Sequence, residues 1–528
     1  MTKREGLPVE LLEGRTLLSA VVGLLADNQV VVFDSAAPEV ILARRTVAMP
    51  RGQTLVAVDF APRTFKFYGI TDADQVYQID LETGSAVLAA DSVVPAGSGD
   101  RLSLEISPRF MDPSFRAVGA SGRQFAGTLT APAEVSAVGY APGDASAGTN
   151  PDLVSIALAS EAGPGLGAET AYAIDAQTDA LVTIGTVGGA RRSPDTGRLY
   201  TVGRLGLDAG SNTGFDVVSL SDGGKVAYAS FQGRRGSTVF STVDLTGGAA
   251  TAVGTVGDGS VRVQDIAVFP ESPYTALGVT AGNQVLVFDP EFPSVILGRT
   301  AVTGLRSDEA LLSMDVRPGR GELFGVSSRD ALYAIDLASG AARQVGARFT
   351  PFFKGSPVAA DFDPVSGELT VLSDRGEKLR MDPASGAVID ARPFVRGVQI
   401  DEPLRYASGD ANAGQSAQVV TLAHANNFAG APGSTLYGLE TTGGNLVRFS
   451  GSGSGDLTTV GPLGLGITDI GSIDIVSTAT GDVAFAAVRT NDRPVRIYQI
   501  DLNTGAHTLG NGIASGSKPV RDIAIVTP

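Results

Sequence analysis

The chain has 528 residues, of which 43% are hydrophobic and 18% charged, and a formal net charge of −16. This length predicts two or more domains, and the acidity argues against binding to nucleic acid or to anionic membrane surfaces. The absence of Cys excludes disulfides, thiol catalysis and cysteine-ligated metals. No apolar run reaches the roughly 18 residues that a membrane span needs. The 67 Gly residues indicate many tight turns and therefore many short strands.

The start of the chain has two interpretations. Lys3 and Arg4 stand ahead of the apolar run 16–26, an order typical of a signal peptide. However, VVGLLADNQVVVFD (21–34) matches ALGVTAGNQVLVFD (276–289) at eight of fourteen positions. Because a signal peptide cannot lie in mid-chain, we interpret 21–33 as two strands that open a folded domain, with a turn at Ala26-Asp27-Asn28. Residues 1–20 then form a separate segment.

The same match continues along the chain and indicates an internal duplication. VYQIDLETGSA is answered by LYAIDLASGAA, YAPGDASAG by YASGDANAG, and VQDIAVFP by VRDIAIVTP, always at an offset of about 255–266 residues. The chain is therefore predicted to contain two copies of one domain, residues 21–270 and 271–528, which meet at a double-proline junction.

Each copy contains a shorter repeat. An alternating apolar strand leads to an Asp and then to Thr-Gly or Ser-Gly, as in YQIDLETG and LRMDPASG. The Asp is expected to start a turn by accepting backbone N–H groups, and the Gly to take a positive φ. Repeats of 45–60 residues with about four short strands predict an all-β fold, namely two tandem β-propellers of about five, or six, four-stranded blades each. A solenoid β-helix is the rival architecture.

The second copy resembles a bacterial family known only as domain of unknown function 4394. The residues that carry the resemblance are DFDPVSGELTVLSDRGEKLRMDPASGAV (361–388), YASGDANAG (406–414) and HANNFAGAPGSTLYGLETTGGNLVRF (424–449). The first copy keeps the outline but lacks NNFAG. The resemblance implies β-propellers of exported proteins, and it brings no known activity.

The segment ahead of the first copy has a second resemblance. ELLEGRTLLSA is similar to the LEPR-x-LL segment at the start of many large exported bacterial proteins, although Gly14 stands where that pattern has Pro. The matching residues are Leu12, Glu13, Arg15, Leu17, Leu18 and Ser19. This resemblance implies a sorting segment within residues 1–20 and a location outside the cell or at its surface.

One sequence pattern is typical of calcium loops. Asp410 and Asn412 form D-x-N-x-G, and Asp144 stands at the equivalent place in the first copy. Calcium loops begin this way because alternate oxygens converge while Gly permits a sharp turn. The downstream Glu of such loops is absent, and a turn built by Asp and Gly is the other interpretation. Calcium is the single cofactor that the sequence indicates.

Candidate binding residues are His424, Asn426 and Asn427, which have no counterpart in the first copy. His424 can be a general base or ligand, or a strand histidine with a local hydrogen bond. No catalytic residue is predicted, because GxSxG, P-loop and HExxH motifs are absent. Acid pairs such as Asp361 with Asp363, or Asp59 with Asp80, raise the alternative of a glycosidase, whereas acids repeated in each blade favour a role in turns.

The functional hypothesis is a non-enzymatic, exported tandem β-propeller that acts as a binding or scaffold module at the cell surface or outside the cell. Its partner is expected to be a glycan or a protein, bound through the loops 118–150, 186–212 and 404–432. The first alternative is an exported hydrolase that acts on glycans or lactones. The second alternative is a structural protein of the cell envelope.

Overall fold

The structure is a computed structural model of the whole chain. It describes residues 19–526 apart from 63, 65, 82, 94–100, 108–113, 161–168, 187–192, 221–223, 234–235, 271, 273, 294, 452, 479–480, 491–494, 509 and 514–518. Of the predicted sorting segment 1–20, residues 1–18 lie outside the described residues, whereas Ser19 is buried and Ala20 already belongs to the first strand. Contacts between Cα atoms divide the folded chain into two compact units, Leu17–Ser272 and Pro273–Pro528. None of the described residues belongs to a helix of the length and apolarity that a membrane crossing requires.

Among its described residues, the first copy has short strands and one 3-10 turn, Pro194–Thr196, between the fifteenth and sixteenth strands. Its strands are β1 (Ala20–Leu25), β2 (Gln29–Asp34), β3 (Ala37–Thr46), β4 (Leu55–Ala61), β5 (Lys66–Thr71), β6 (Val76–Ile79), β7 (Ala86–Ala90), β8 (Leu102–Ile106), β9 (Ser114–Gly119), β10 (Gln124–Thr128), β11 (Ala131–Glu134), β12 (Gly139–Tyr140), β13 (Leu153–Ser160), β14 (Glu169–Asp175), β15 (Ala180–Ile184), β16 (Arg198–Arg204), β17 (Gly214–Ser219), β18 (Lys225–Gln232), β19 (Thr238–Val243), β20 (Ala250–Thr255) and β21 (Val263–Val268).

The second copy has the same plan. Its strands are β22 (Thr275–Thr280), β23 (Gln284–Phe288), β24 (Ile296–Ala301), β25 (Leu311–Arg317), β26 (Glu322–Ser327), β27 (Leu332–Ile335), β28 (Ala342–Val345), β29 (Pro357–Phe362), β30 (Leu369–Ser373), β31 (Lys378–Met381), β32 (Arg405–Tyr406), β33 (Val419–Ala425), β34 (Thr435–Glu440), β35 (Asn445–Phe449), β36 (Asp456–Pro462), β37 (Ile467–Thr478), β38 (Gly481–Thr490), β39 (Arg496–Ile500), β40 (Asn511–Gly512) and β41 (Val520–Val526).

The first copy is a five-bladed β-propeller. Its strands form five antiparallel sheets in chain order, which begin at β1, β4, β8, β13 and β17. The last strand, β21, pairs with β1, so that Val21 faces Val268 and the end of the copy completes its first blade. The innermost strands β21, β4, β8, β13 and β17 contact one another in that order, and the ring closes between β17 and β21. The predicted opening strands are confirmed, because Ala20–Leu25 and Gln29–Asp34 pair across the predicted turn.

The second copy closes in the same way. The last strand, β41, pairs with β22 and places Leu277 opposite Ala524. Its innermost strands β41, β25, β29, β33 and β37 likewise contact one another in a closed ring. Each copy therefore has five sheets among the described residues, which settles the sequence interpretation on five blades.

Three blades depart from the four-stranded rule among the described residues. The fourth blade has a fifth strand in both copies, because β12 pairs in parallel with β16 and β32 pairs in parallel with β36. The third blade of the second copy has three strands, β29 to β31. The segment 382–404 follows β31 in the place where a fourth strand would otherwise run.

The hydrophobic core of each propeller is divided among the spaces between neighbouring blades. Val31 and Phe33 of the first blade, for example, pack with Val218 and Phe240 of the fifth. The rings of Phe33 and Phe240 meet edge to face with their centroids 5.2 Å apart. Alternation along a strand sends successive side chains to opposite faces, so each sheet contributes to two such clusters.

The glycine of the repeated Asp-x-x-x-Gly turn has a role beyond its positive φ. In the second blade of the second copy, the N–H of Gly340 donates to the carbonyl oxygen of Asp336 at 2.7 Å, and the φ of Gly340 is 73°. A Cβ at this position would collide with the carbonyl oxygen of Ala301 in the outer strand of the preceding blade. The same approach to a preceding outer strand recurs at Gly84, Gly248, Gly386 and Gly505.

We expect Gly340→Ala to destabilise the protein by about 2–5 kcal/mol, the sum of a left-handed alanine and a steric clash. Gly430→Ala is the matched control, because Gly430 also has a positive φ, 75°, but a Cβ added there would have no other atom within 4 Å. The control should lose only about 1–2 kcal/mol. Urea unfolding of both variants measures the difference. Equal losses would show that the contact between blades contributes nothing.

Candidate functional site

The innermost strands carry a buried acidic side chain in four of the five blades of each copy. The acids are Asp59, Glu105, Asp216 and Asp265 in the first copy and Asp315, Asp361, Asp474 and Asp522 in the second. All eight side chains are buried. A charged residue in the middle of an apolar innermost strand costs free energy unless it is paired or protonated. Its recurrence therefore defines the candidate site.

Three of these acids converge in the first copy. One carboxylate oxygen each from Asp59, Glu105 and Asp216 lies within 4.8 Å of the others. Each acid also accepts a backbone N–H group from the next innermost strand. Leu158 N donates to Glu105 Oε1 at 2.8 Å, Val268 N donates to Asp216 Oδ2 at 2.6 Å, and Ile106 N donates to Asp59. The carboxylates thus connect neighbouring blades at the channel.

The second copy repeats the arrangement. Carboxylate oxygens of Asp315, Asp361 and Asp474 lie within 4.8 Å of one another. Phe362 N donates to Asp315 Oδ2 at 2.7 Å, and Ile525 N donates to Asp474. Among the described residues, these two groups of three are the places where three acids or histidines converge so closely.

The fourth acid of each copy lies on the closing strand. Asp265 Oδ2 accepts Val58 N at 3.0 Å. In the second copy, Asp522 Oδ2 accepts Met314 N at 2.8 Å, and the hydroxyl groups of Ser313 and Ser472 also donate to Asp522. The bonds from Val58, Met314 and Ser313 join the last strand of each copy to the second blade, and the bond from Ser472 joins it to the fifth blade.

The environment of the acids favours their neutral forms in the first copy. Burial, and then the charges of the neighbouring acids, raise the pKa of Asp59 and of Glu105 well above the usual range. Burial raises the pKa of Asp216 to about 6 and that of Asp265 to about 7. Burial at this end of the channel therefore favours the protonated forms of these carboxyl groups to a higher pH than is usual for acids.

The second copy shows the same direction. Burial and the neighbouring acids raise the pKa of Asp315 and of Asp474 well above the usual range. Burial raises the pKa of Asp522 to about 7. Burial also raises the pKa of Asp361, although the hydrogen bond and charge of His424 oppose that increase.

A small cavity adjoins the carboxylates of the first copy. Its volume is about 40 Å³, and its lining includes Asp59, Glu105 and Asp216 together with Pro62 and Pro270. These prolines follow the ends of β4 and β21, so the cavity lies where the innermost strands end. It has room for a few water molecules.

The oxygens that converge here are of the kind that hard cations bind. However, an acidic cluster alone does not define a cation site, and backbone N–H groups already bond to these carboxylates. We therefore assign no ion to either cluster.

His424 lies beside the second cluster. The histidine is 1% exposed, its Nδ1 lies 2.6 Å from Asp361 Oδ1, and its backbone N–H donates to the same oxygen at 2.9 Å. Its Nε2 has no hydrogen-bond partner among the described residues. Leu158 is its structural counterpart in the first copy, because Leu158 N donates to Glu105 in the same way. His424 therefore lies beside Asp361, the acid that was considered from the sequence as a partner of Asp363.

The two asparagines after His424 connect the fourth blade to the fifth. Asn426 N donates to Asp482 Oδ1 at 3.2 Å. Asn427 N donates to Ser477 Oγ at 2.6 Å, and Asn427 Nδ2 donates to the carbonyl oxygen of Ile475 at 3.2 Å. Asn426 is exposed, whereas His424 is buried. The prediction that these three residues bind a ligand stays a prediction.

The carboxylates of Asp410 and Asp144 connect the segment after the extra strand of the fourth blade to the neighbouring strand of that blade. Asp410 Oδ1 accepts Asn412 N at 2.8 Å and the hydroxyl of Thr459 at 2.9 Å, and Asp410 Oδ2 accepts Thr459 N at 2.6 Å. Asp144 makes the equivalent bonds to Ser146 and Thr201. Asn412 Nδ2 donates to the Thr459 hydroxyl at 2.9 Å. The calcium prediction stays a prediction, and the motif has this structural use in both copies.

The acid pairs considered from the sequence do not form the clusters. Asp80 lies in an exposed turn, whereas Asp59 is buried on an innermost strand. Asp363 accepts the N–H of Val365 at 2.9 Å in a turn directly after β29. The real clusters combine acids from three different blades. The signal that could have revealed them is the single acid inside each of the strands LVAVDFA, LSLEI and GFDVVS.

Comparison with known families identifies the class of protein. A family model described as "Domain of unknown function (DUF4394)" matches residues 29–267 and again 284–524. The chain therefore belongs to this family and contains two copies of its domain, as the sequence predicted.

Comparisons with curated proteins and with solved structures give no further information on function. No curated protein matches the chain. Among solved structures, one titled "Structure of Dos1 propeller" is similar at 12% identity, over 65% of this chain and 82% of that one, with a TM-score of 0.25. This likeness is too distant to carry an argument about function.

Proposed function

We propose that the chain is a non-catalytic binding or scaffold module that works outside the cell or at its surface. The observation that carries the proposal is the use of the convergent acids. In both copies these carboxylates are buried and accept backbone N–H groups from neighbouring blades. Because the arrangement repeats in both copies, it is accounted for by the construction of the propeller without any reaction.

The surface of the second copy supports a binding role. Among the described residues, three phenylalanines are exposed in this copy, Phe352, Phe394 and Phe428, with Phe394 fully exposed. The exposed large apolar residues of the first copy are aliphatic. Exposed aromatic side chains are enriched where proteins bind partners. Phe428 lies in the turns after β33, within the range 404–432 that the sequence predicted as a binding loop and in which the structure places β32 and β33.

The alternative of a glycan or lactone hydrolase draws on one observation, the cavity beside Asp59, Glu105 and Asp216. Glycosidases place two carboxyl groups about 5–10 Å apart with access for sugar and water. In this protein the oxygens lie within 4.8 Å and the side chains are buried. This geometry favours the structural use of the acids.

One experiment separates the two functions. The purified full chain and its Glu105→Gln variant are assayed on chromogenic glycosides and lactones, and their binding to a glycan array and to whole cells is measured in parallel. We expect no turnover by either protein, together with retention on at least one surface that Phe394→Ala weakens about tenfold or more. Turnover by the wild type that Glu105→Gln abolishes would establish the hydrolase instead. Val87→Ala, at an exposed site of the first copy, is the control for surface changes.

Export is tested separately. Cell fractionation of the native host is expected to place the full chain in the envelope or the medium. Recovery from the cytoplasm alone would contradict this part of the proposal.

A further inference from the structure

We infer that protons on the buried carboxyl groups stabilise the closing blade of each propeller, and that this stabilisation is lost when the medium becomes alkaline. The inference goes beyond binding and does not depend on what the propellers bind. It begins from geometry, because three carboxylate oxygens lie within 4.8 Å of one another in each copy. Like charges at such distances in a buried place cannot all persist, so at least one carboxyl group of each cluster keeps a proton.

The charged groups that face these clusters do not remove the need for protons. In the first copy, Asp59, Glu105 and Asp216 face one another. Glu105 also faces Glu169. The cation Arg101 faces Asp265. In the second copy, Asp361 faces Asp315, Asp363 and Asp474, and His424 faces Asp361. Asp522 faces Asp474. Acids thus outnumber the cationic or potentially cationic groups in both places.

The location of the acids connects protonation to closure of the ring. In the first copy, Asp216 accepts a backbone bond from the closing strand, and Asp265 on that strand accepts one from the second blade. In the second copy, Asp474 and Asp522 make the equivalent bonds. When the acids ionise together, their repulsion acts where the closing strand contacts the innermost strands of the fifth and second blades.

The sign of the pH dependence follows from proton binding. The folded protein holds protons on acids that lose them near pH 4 in the unfolded chain. Stability contributed by such groups is fully present below the unfolded pKa and is lost as the pH rises through the folded pKa. With pKa values of about 7 for Asp265 and for Asp522, the stability that these two groups contribute falls from about pH 4 and is lost as the pH passes about 7.

The first test is calorimetry of the full chain between pH 5 and pH 9 in the presence of a chelator. The melting temperature is expected to fall as the pH rises, by about 3–5 °C per pH unit for each extra proton that the folded state holds. In parallel, infrared spectroscopy is expected to show a protonated carboxyl band at pH 7 that disappears at higher pH. A flat melting temperature without such a band would overturn the inference.

Variants assign the effect to the clusters. Asp315→Asn with Asp474→Asn replaces two acids by neutral groups of the same size and should flatten the pH dependence of one transition. Asp336→Asn is the matched control, because Asp336 lies in an exposed turn of the same copy and should leave the slope unchanged. If the double variant fails to fold, the wild-type slope and the infrared band still decide. A chelator that lowers the melting temperature at pH 8, with recovery on adding calcium, would also overturn the inference, because a cation would then replace the proton.

Discussion

Asp401→Asn is expected to destabilise the second propeller by about 3–5 kcal/mol, because it leaves a buried ammonium group without its counter-ion. Lys378 is fully buried, and its Nζ lies 2.6 Å from Asp401 Oδ2. Burial lowers the pKa of Lys378, and Asp401 opposes that decrease. Without Asp401, burial lowers the pKa of Lys378 with less opposition. The loss of stability should therefore become smaller as the pH rises and the Lys378 amine releases its proton.

This ion pair fastens the segment that follows the three-stranded blade. Asp401 lies near the end of 382–404, and Arg380 donates both to Asp401 and to Glu368. Chemical unfolding of Asp401→Asn measures the loss, and Lys378→Met with Asp401→Asn should recover part of it because the lone charge is gone. Glu402→Gln, in an exposed ion pair with Arg392, is the control and should change little. A loss no greater than that of the control would contradict the prediction.

Phe362→Ala is expected to cost a similar amount, about 3–5 kcal/mol, by opening a cavity between two blades. Phe362 is completely buried in a cluster with Phe324 and Phe349. Its ring meets that of Phe324 edge to face, with centroids 5.4 Å apart. Calorimetry should show a lower melting temperature for one transition.

The duplication supplies a control for this change. Ile106 stands at the position of Phe362 in the first copy, since both backbone N–H groups donate to an acid of the preceding blade. Phe362→Ile retains most of the buried volume and should lose clearly less stability than Phe362→Ala. Equal losses in the two variants would indicate that cavity volume is not what determines the cost.

The repeats explain why the architecture could be predicted from the sequence. Each Asp and Gly of a hairpin turn has a local cause, and the second copy of VVGLLADNQVVVFD excluded a signal peptide from residues 21–33. Strand alternation and turn chemistry act within a few residues. The two-copy plan with five or six blades in each copy follows from counting such local signals, and the closed rings of the structure fix the number at five.

The acidic clusters could not be predicted in the same way, because they depend on which blades meet at the channel. Asp59, Glu105 and Asp216 are separated by 46 to 157 residues, and only closure of the ring brings them within 4.8 Å. Asp410 is the opposite case, a local motif whose calcium prediction stays a prediction. Its motif is local and typical of calcium loops, yet its carboxylate accepts three donors from Asn412 and Thr459.

The pairing of the last strand with the first has a consequence for synthesis on the ribosome. The blade that contains Val21 is complete only after Val268, about 250 residues later, has been synthesised. At the usual translation rates of about 5–20 residues per second, this delay is on the order of tens of seconds. During that time β1 presents an unpaired edge, which nascent chains of neighbouring ribosomes could occupy. A chaperone that shields this edge, or infrequent initiation that keeps ribosomes apart on the message, would therefore increase the yield of correctly closed protein.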